Sequence, residues 1–316
     1  MSLLTDSFGR VHKYLRLSLT SKCNFKCSYC YSGLPTPPTA EMTFLKRLVG
    51  LFATQGVSKV RLTGGEPLLN PQVVEIAKEI KSIPEVNHLA ITTNGLLLDR
   101  YFKGLVDAGL NSANISLDSL VPAKFAFIAK VDGFHKVWKA IEAATEALDT
   151  VKVNCVVMNR INDDEILDFV EIARHRKVSV RFIEFVPYTG NQWTDKRYFP
   201  FTKIIETIQS KHEITPTMLD DPVAKYYNIP GFSGNIGVIA SLTEPFCEKC
   251  DRLRITSDGK FKVCLNSPQE VSLEPSMSDA ELLKVIREEL LQKPKEHGGV
   301  SNMLGNNNRP MTHIGG

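Results

Sequence analysis

Six of the seven cysteines fall into two groups of three, Cys23/Cys27/Cys30 and Cys247/Cys250/Cys264, while Cys155 stands alone in an apolar run. An odd count cannot pair completely into disulfides, and tight clusters in an intracellular chain read as metal or redox chemistry. The first group is spaced Cys-x3-Cys-x2-Cys, so its thiolates meet one centre only if the loop wraps around it. Structural zinc closes its site with four ligands, and no histidine or fourth cysteine lies nearby. Three thiolates suit a cubane iron–sulfur cluster that leaves one iron free of protein ligands and open to a small molecule. The second group, Cys247-x2-Cys250-x13-Cys264, taken alone is three-quarters of a zinc ribbon. Between its second and third cysteines stand Arg252 and Arg254. Two arginines at i, i+2 on an extended segment point to one side, toward whatever the metal binds.

Positioning such groups is the task of the surrounding elements. Strand-like apolar runs are expected at 14–20, 59–63, 88–93, 112–117, 152–157 and 178–185, separated by amphipathic helical patterns at 44–54, 73–83, 100–108, 133–148 and 164–175. This β-α alternation predicts a parallel sheet with crossover helices. Six units make an incomplete barrel, and two further strands needed for a full one are not evident. The first cysteine group follows the first strand, at the end where α/β folds place active-site loops. Beyond Pro187 the rhythm breaks into a loop carrying Trp193, a helix at 201–212, a hairpin within 221–240, the second cysteine group and a charged helix at about 278–292. The stretch 296–316 is rich in Gly and Asn, and by composition alone reads as a disordered tail.

Composition bounds the rest. The chain has 316 residues, 38 Lys+Arg against 35 Asp+Glu for a net charge of +3, and 43% hydrophobic residues. That is ordinary globular composition, which disfavours wholesale disorder or a fibrous repeat. Nothing in it calls for a nucleic-acid or membrane surface, and no apolar run approaches the ~18–20 residues of a membrane span. The first ten residues are too polar for a secretory signal. The expected location is intracellular, in the cytoplasm, or in the mitochondrial matrix for a eukaryotic chain.

With Tyr29 before its last cysteine, the first motif resembles that of the radical S-adenosylmethionine (SAM) superfamily. Gly64-Gly65-Glu66-Pro67 after the second strand and Ser116-Leu117-Asp118 after the fourth fit the same superfamily. The Arg252/Arg254 segment and the terminal Arg309-Pro310-Met311-x2-Ile314-Gly315-Gly316 narrow the match. From about Phe8 to Gly316 the chain resembles the GTP 3′,8-cyclase family of molybdenum cofactor biosynthesis, and more closely its eukaryotic branch.

The resemblance implies an incomplete (β/α)6 radical-SAM barrel over residues 1–190, a C-terminal segment carrying a second cluster over 191–295, and a tail over 296–316 inserted into the site. It implies two 4Fe–4S clusters, one on Cys23, Cys27 and Cys30, the other on Cys247, Cys250 and Cys264. Tyr29, Gly65, Ser116 and Val186 match SAM-contacting positions. Arg16, Arg61, Thr92, Lys152, Arg252, Leu253 and Arg254 match GTP-contacting ones. The implied reaction is reductive SAM cleavage, abstraction of H3′ from GTP, and closure of C3′ onto C8. GTP, an electron donor and cyclic pyranopterin monophosphate synthase as the next pathway enzyme are the implied partners, and a homodimer is left open. Asp118, Asn94 and Glu184 stay unassigned as site residues or strand-end caps. Arg181 is expected just behind the substrate contacts and Cys155 in the core.

The sequence also departs from the family. Asn70 replaces an arginine, Val186 a methionine and Tyr31-Ser32 a Met-Pro pair. The loop after Tyr31-Ser32 is short, and the basic segment before Gly133 is reduced to Lys130-Val131-Asp132. Two other readings stay open at this point: a peptide-modifying radical SAM enzyme with an auxiliary cluster, and a non-catalytic metal-binding paralogue.

Overall fold

The structure, a computed structural model, describes residues 3–219, 221–305 and 307–315. Its first part is six strands with crossover helices: β1 (Tyr14–Ser18), α1 (Met42–Thr54), β2 (Lys59–Thr63), α2 (Val73–Lys81), β3 (His88–Thr93), α3 (Leu98–Asp107), β4 (Ser112–Ser116), α4 (Pro122–Ala129), α5 (Phe134–Ala147), β5 (Thr150–Val157), α6 (Ile166–His175) and β6 (Ser179–Glu184). All six expected strands form. The additional helix α4 is only eight residues long, too short to show a period. Pro122 stands at its first turn, where a missing N–H costs nothing, and Lys130 ends it in the left-handed conformation.

The C-terminal part contributes α7 (Phe201–Gln209), β7 (Thr215–Thr217), β8 (Lys225–Asn228), β9 (Asn235–Ile239), β10 (Arg252–Ile255), β11 (Lys260–Lys262), β12 (Val271–Ser272), α8 (Asp279–Leu291), α9 (Gly299–Gly305) and α10 (Met311–Ile314). The start of α8 is fixed by a capping box: the Glu281 amide donates to Ser278 Oγ, and the Ser278 amide to Glu281 Oε2.

These strands do more than cap the barrel. The sheet runs β12-β11-β10-β1-β2-β3-β4-β5-β6-β9-β8-β7. β10 pairs parallel with β1, and β9 pairs parallel with β6. The two strands missing from the sequence reading therefore lie in the C-terminal segment, one on each edge of the six. The expected 221–240 hairpin is present as the antiparallel pair β8–β9. The order ends at β12 and β7, so the barrel stays open.

Register divides the sheet into two faces. Leu15, Leu62, Ile91, Val153 and Phe182 point outward into the core formed with the helices. Cys155 is in the same core, as expected of a small buried residue, and so is Leu253. The intervening positions face inward. There Arg254, Arg16 and Arg61 lie in one register row across β10, β1 and β2, while Thr92, Asn114 and Lys152 form another across β3, β4 and β5. A parallel sheet is ordinarily apolar on both faces. A charged inner face is costly unless it meets something charged.

Candidate active site

The inner face encloses a cavity of about 510 Å³. All six clustered cysteines line it, with eleven Arg or Lys residues on its wall against five Asp or Glu. Burial first, then Asp118, Cys30 and Cys23 as neighbours, hold the Cys27 thiol well above its ordinary range, so the three sulfurs share one pocket. Cys247 is raised by burial and by Cys264 and Cys250 in the same way. Among the described residues, no three His, Cys, Asp or Glu side chains converge on a point that could hold a single metal ion.

The loop bearing the first trio is clamped from two sides. The amides of Lys26 and Ser28 donate to the carbonyls of Ala129 and Ile128 at 3.0 and 3.2 Å, at the end of α4. From the other side, the Gly65 and Glu66 amides donate to the carbonyls of Thr20 and Lys22. A Cβ on Gly65 would stand 2.3 Å from the Lys22 carbonyl oxygen. The glycines expected to admit a ligand are thus needed first for backbone-to-backbone packing against this loop.

The carboxylate of Glu66 accepts from Thr93 Oγ1 and from the amides of Asn94 and Leu68. Burial pushes Glu66 up to about 7 against those three donors. Asn94 in turn reaches Asn24 Oδ1 at 2.7 Å. Asp118 takes the Tyr29 hydroxyl at 2.8 Å and the Val156 amide at 2.9 Å, and burial raises it to about 6. Asp118 and Asn94 therefore hold the cysteine loop in place. Glu184 accepts from the Phe201 and Leu242 amides and the Tyr198 hydroxyl. It fastens the connection from the barrel to the C-terminal part.

Arg16, Arg61, Thr92, Lys152, Arg252 and Arg254 all line the cavity, as do Tyr29, Gly65, Ser116 and Val186. Leu253 does not. Strand alternation turns its side chain into the core while its two arginine neighbours face inward. Arg61 donates to the Tyr14 hydroxyl and, at 3.1 Å, to the Ile91 carbonyl. Among the described residues the buried Arg252 Nε has no hydrogen-bond partner, while its guanidinium bonds the Cys250 side chain and stands 4.6 Å from the Phe246 ring centre. Arg16 is held well below its ordinary range by burial and by Arg254; burial and Arg252 bring Arg254 to about 10. The expected second-rank Arg181 is on the wall itself. Asp221, which no motif flagged, pairs with Lys152 and stands 3.1 Å from Arg181. Asn70 lies outside the cavity wall, where its Oδ1 accepts the Gln72 amide.

The second trio is anchored by the chain's beginning. Arg10 donates to the carbonyls of Cys247, Pro294 and Lys295. Lys293 lies 3.6 Å from Cys250 Sγ and bonds His12. The tail is folded. Gly315 is in the left-handed conformation, and a Cβ there would meet Thr63 Oγ1 at 2.5 Å. Its carbonyl accepts from Arg254 at 2.9 Å and Arg16 at 3.3 Å. Composition pointed to a solvated tail; the structure seats it on the inner face of β1 and β2. Gly316 lies outside the described residues.

The first cysteine trio stands on the loop after the first barrel strand and lines the cavity, and residues 17–173 match the Radical SAM superfamily, which makes the chain a radical SAM protein. Residues 178–299 match Molybdenum Cofactor Synthesis C. The chain is 44% identical to "GTP 3′,8-cyclase, mitochondrial" of Arabidopsis thaliana over 99% of its length and 84% of that protein. It is 38% identical to "GTP 3′,8-cyclase" of Peptoclostridium acidaminophilum over 94% of both. The chain thus belongs to the GTP 3′,8-cyclase family. Against "Molybdenum cofactor biosynthesis protein 1" of Mus musculus, 45% identical, it spans 51% of the relative's length. The solved structure "Native anSMEcpe with bound AdoMet", 16% identical, shares the fold with a TM-score of 0.60 over 91% of this chain and 82% of that one. SAM and an iron–sulfur cluster are the cofactors that membership carries. No helix among the described residues is long and apolar enough to cross a membrane.

Proposed function

We propose that this chain is a radical SAM GTP 3′,8-cyclase in molybdenum cofactor biosynthesis. The observation that carries the reading is one cavity lined by both cysteine trios and by eleven Arg or Lys side chains. Three cysteines per group, all lining one pocket, suit the thiolate ligation of an iron–sulfur cluster. Cys23, Cys27 and Cys30 would hold the first 4Fe–4S cluster, and Cys247, Cys250 and Cys264 a second. The chemistry supplied when the first cluster and SAM are bound is one-electron reductive cleavage of SAM.

Everything else in the site is positioning. Tyr29, Gly65, Ser116 and Val186 line the same cavity as the first trio and would orient SAM. Arg254, Arg16 and Arg61 stand in a row on three neighbouring strands and offer planar forks that match phosphate oxygens. Lys152 and Arg181 extend the cationic wall across β5 and β6. Arg252, bonded to Cys250, has an Nε with no partner among the described residues, beside the second trio, where the substrate's guanine end would lie. Rigid strands fix these donors before substrate arrives, which is how a site lowers the entropic part of a barrier. The next pathway enzyme would be cyclic pyranopterin monophosphate synthase.

The test is the Arg252→Ala/Arg254→Ala double variant, reconstituted anaerobically with SAM, GTP and a strong reductant. We expect both clusters and SAM binding to persist while cyclised nucleotide falls by at least ~10²-fold, the scale for lost oriented donors. Normal GTP turnover by that variant would refute the roles given to Arg252 and Arg254, and no cyclised nucleotide from the reconstituted wild type would refute the substrate assignment.

A further inference from the structure

The loop that carries the first trio has an outer side as well as an inner one. Cys27, Tyr29 and Cys30 line the cavity, as do Phe125, Ile128 and Ala129 of α4. Their immediate neighbours Lys26, Tyr31, Phe127 and Lys130 do not, and all four are exposed. The backbone bonds from Lys26 and Ser28 to Ala129 and Ile128 join the two segments into one surface. That surface lies directly behind the cysteines.

Its character is unusual for solvent-facing chain. Phe127 is 60% exposed, Leu34 50% and Tyr31 43%. Lys130 Nζ stands 4.4 Å from the Phe127 ring centre and Lys26 Nζ 5.6 Å from that of Tyr31. Lys22 and Lys136 are exposed in the same two segments, where residues 19–40 contain no acid and residues 119–136 contain only Asp132. Aromatic groups gathered with charges of one sign mark a contact surface for a partner of the opposite sign.

We propose that this patch docks a small acidic one-electron carrier protein. The inference rests on the first trio holding a redox cluster. Each reductive event moves one electron, oxidising the carrier by one and reducing the cluster by one. Electron transfer weakens steeply with distance, so the carrier must seat where the cluster loop comes nearest to solvent. The lysines supply the attraction and the exposed rings the apolar contact. This also gives a use to Tyr31 and to the Lys130-Val131-Asp132 segment, two departures that the substrate site leaves unexplained.

The test compares two reductants on the holoenzyme with a Lys26→Glu/Lys130→Glu variant. With reduced flavodoxin-type carrier, the oxidation of its flavin is followed optically. We expect the variant's rate to fall at least ~10-fold at low salt, with the wild-type rate declining as salt rises. With dithionite, cluster reduction read by electron paramagnetic resonance should stay within about twofold, since small-ion reduction needs no docking. Phe127→Ser should slow the carrier reaction alone. An unchanged carrier rate would overturn the proposal. So would an equal loss with dithionite, which would make the lysines part of the site's own support. A variant turned from dimer to monomer would identify the patch as a contact between copies of this chain. None of these readouts requires GTP turnover, so a cluster that reduces without cyclising nucleotide would count against the proposed function only.

Discussion

Lys152 illustrates how a single side chain carries a pH dependence into the site. Burial, followed by the repulsion of Arg181, lowers it to about 8, while Asp221 opposes the shift. The ammonium is therefore present below about pH 8 and is lost as pH rises through that value. Anion binding draws on the charged form, so affinity must fall on the alkaline side. We expect inorganic tripolyphosphate, titrated calorimetrically, to bind several-fold more weakly at about pH 9 than at about pH 7. Lys152→Arg should flatten that profile. A wild-type affinity independent of pH over this range would show that Lys152 does not meet the polyphosphate.

At the scale of elements, a tightly constrained contact beside the site is that between the glycine pair and the cysteine loop. Gly65→Ala places a methyl against the Lys22 carbonyl with backbone on both sides, so one segment must move. The cost is about 1–3 kcal/mol for an overpacked contact. The moved segment is the one leading to Cys23, and we expect iron bound at the first trio to be lost selectively. Chemical iron analysis should fall toward the content of the second trio alone, and SAM binding should fail. Full iron content in Gly65→Ala would refute the clamp.

Much of this was legible in the sequence, because motif, strand period and helix signals lie close together along the chain. The six barrel strands and both cysteine trios are of that kind. What escaped depends on contacts between distant segments. β10 joins β1 across more than two hundred residues, and with only four residues it shows no period. Asp221 reaches Lys152 from a loop with no motif of its own. Leu253 matches a GTP-contacting position by resemblance, while alternation on a strand sends its side chain to the face opposite its arginine neighbours.

The whole molecule is closed by its two ends. Arg10 ties the beginning of the chain to the second trio, and the tail crosses back to the first strands. The anchor nearest the tail's inserted end is Arg309, whose two Nη atoms donate to both Asp258 carboxylate oxygens at 2.8 Å and whose Nε reaches Glu270 at 3.0 Å, with Asn308 beside it donating to the Leu265 carbonyl. A bidentate fork fixes direction as well as distance, and Gly315 follows only six residues later. Gly/Asn-rich chain loses much entropy on ordering, which these anchors must offset. Arg309→Ala should therefore free Gly315 from Arg16 and Arg254 without touching either trio. We expect limited proteolysis after residue 296 to accelerate, cyclised product to form at least ~10-fold more slowly, and iron content and SAM affinity to stay unchanged. Arg309→Lys keeps the charge but not the fork, and should fall between the two. If proteolysis accelerates while turnover holds, the seated tail is packing rather than part of the site; if neither changes, Gly315 is held by the inner face of β1 and β2 alone.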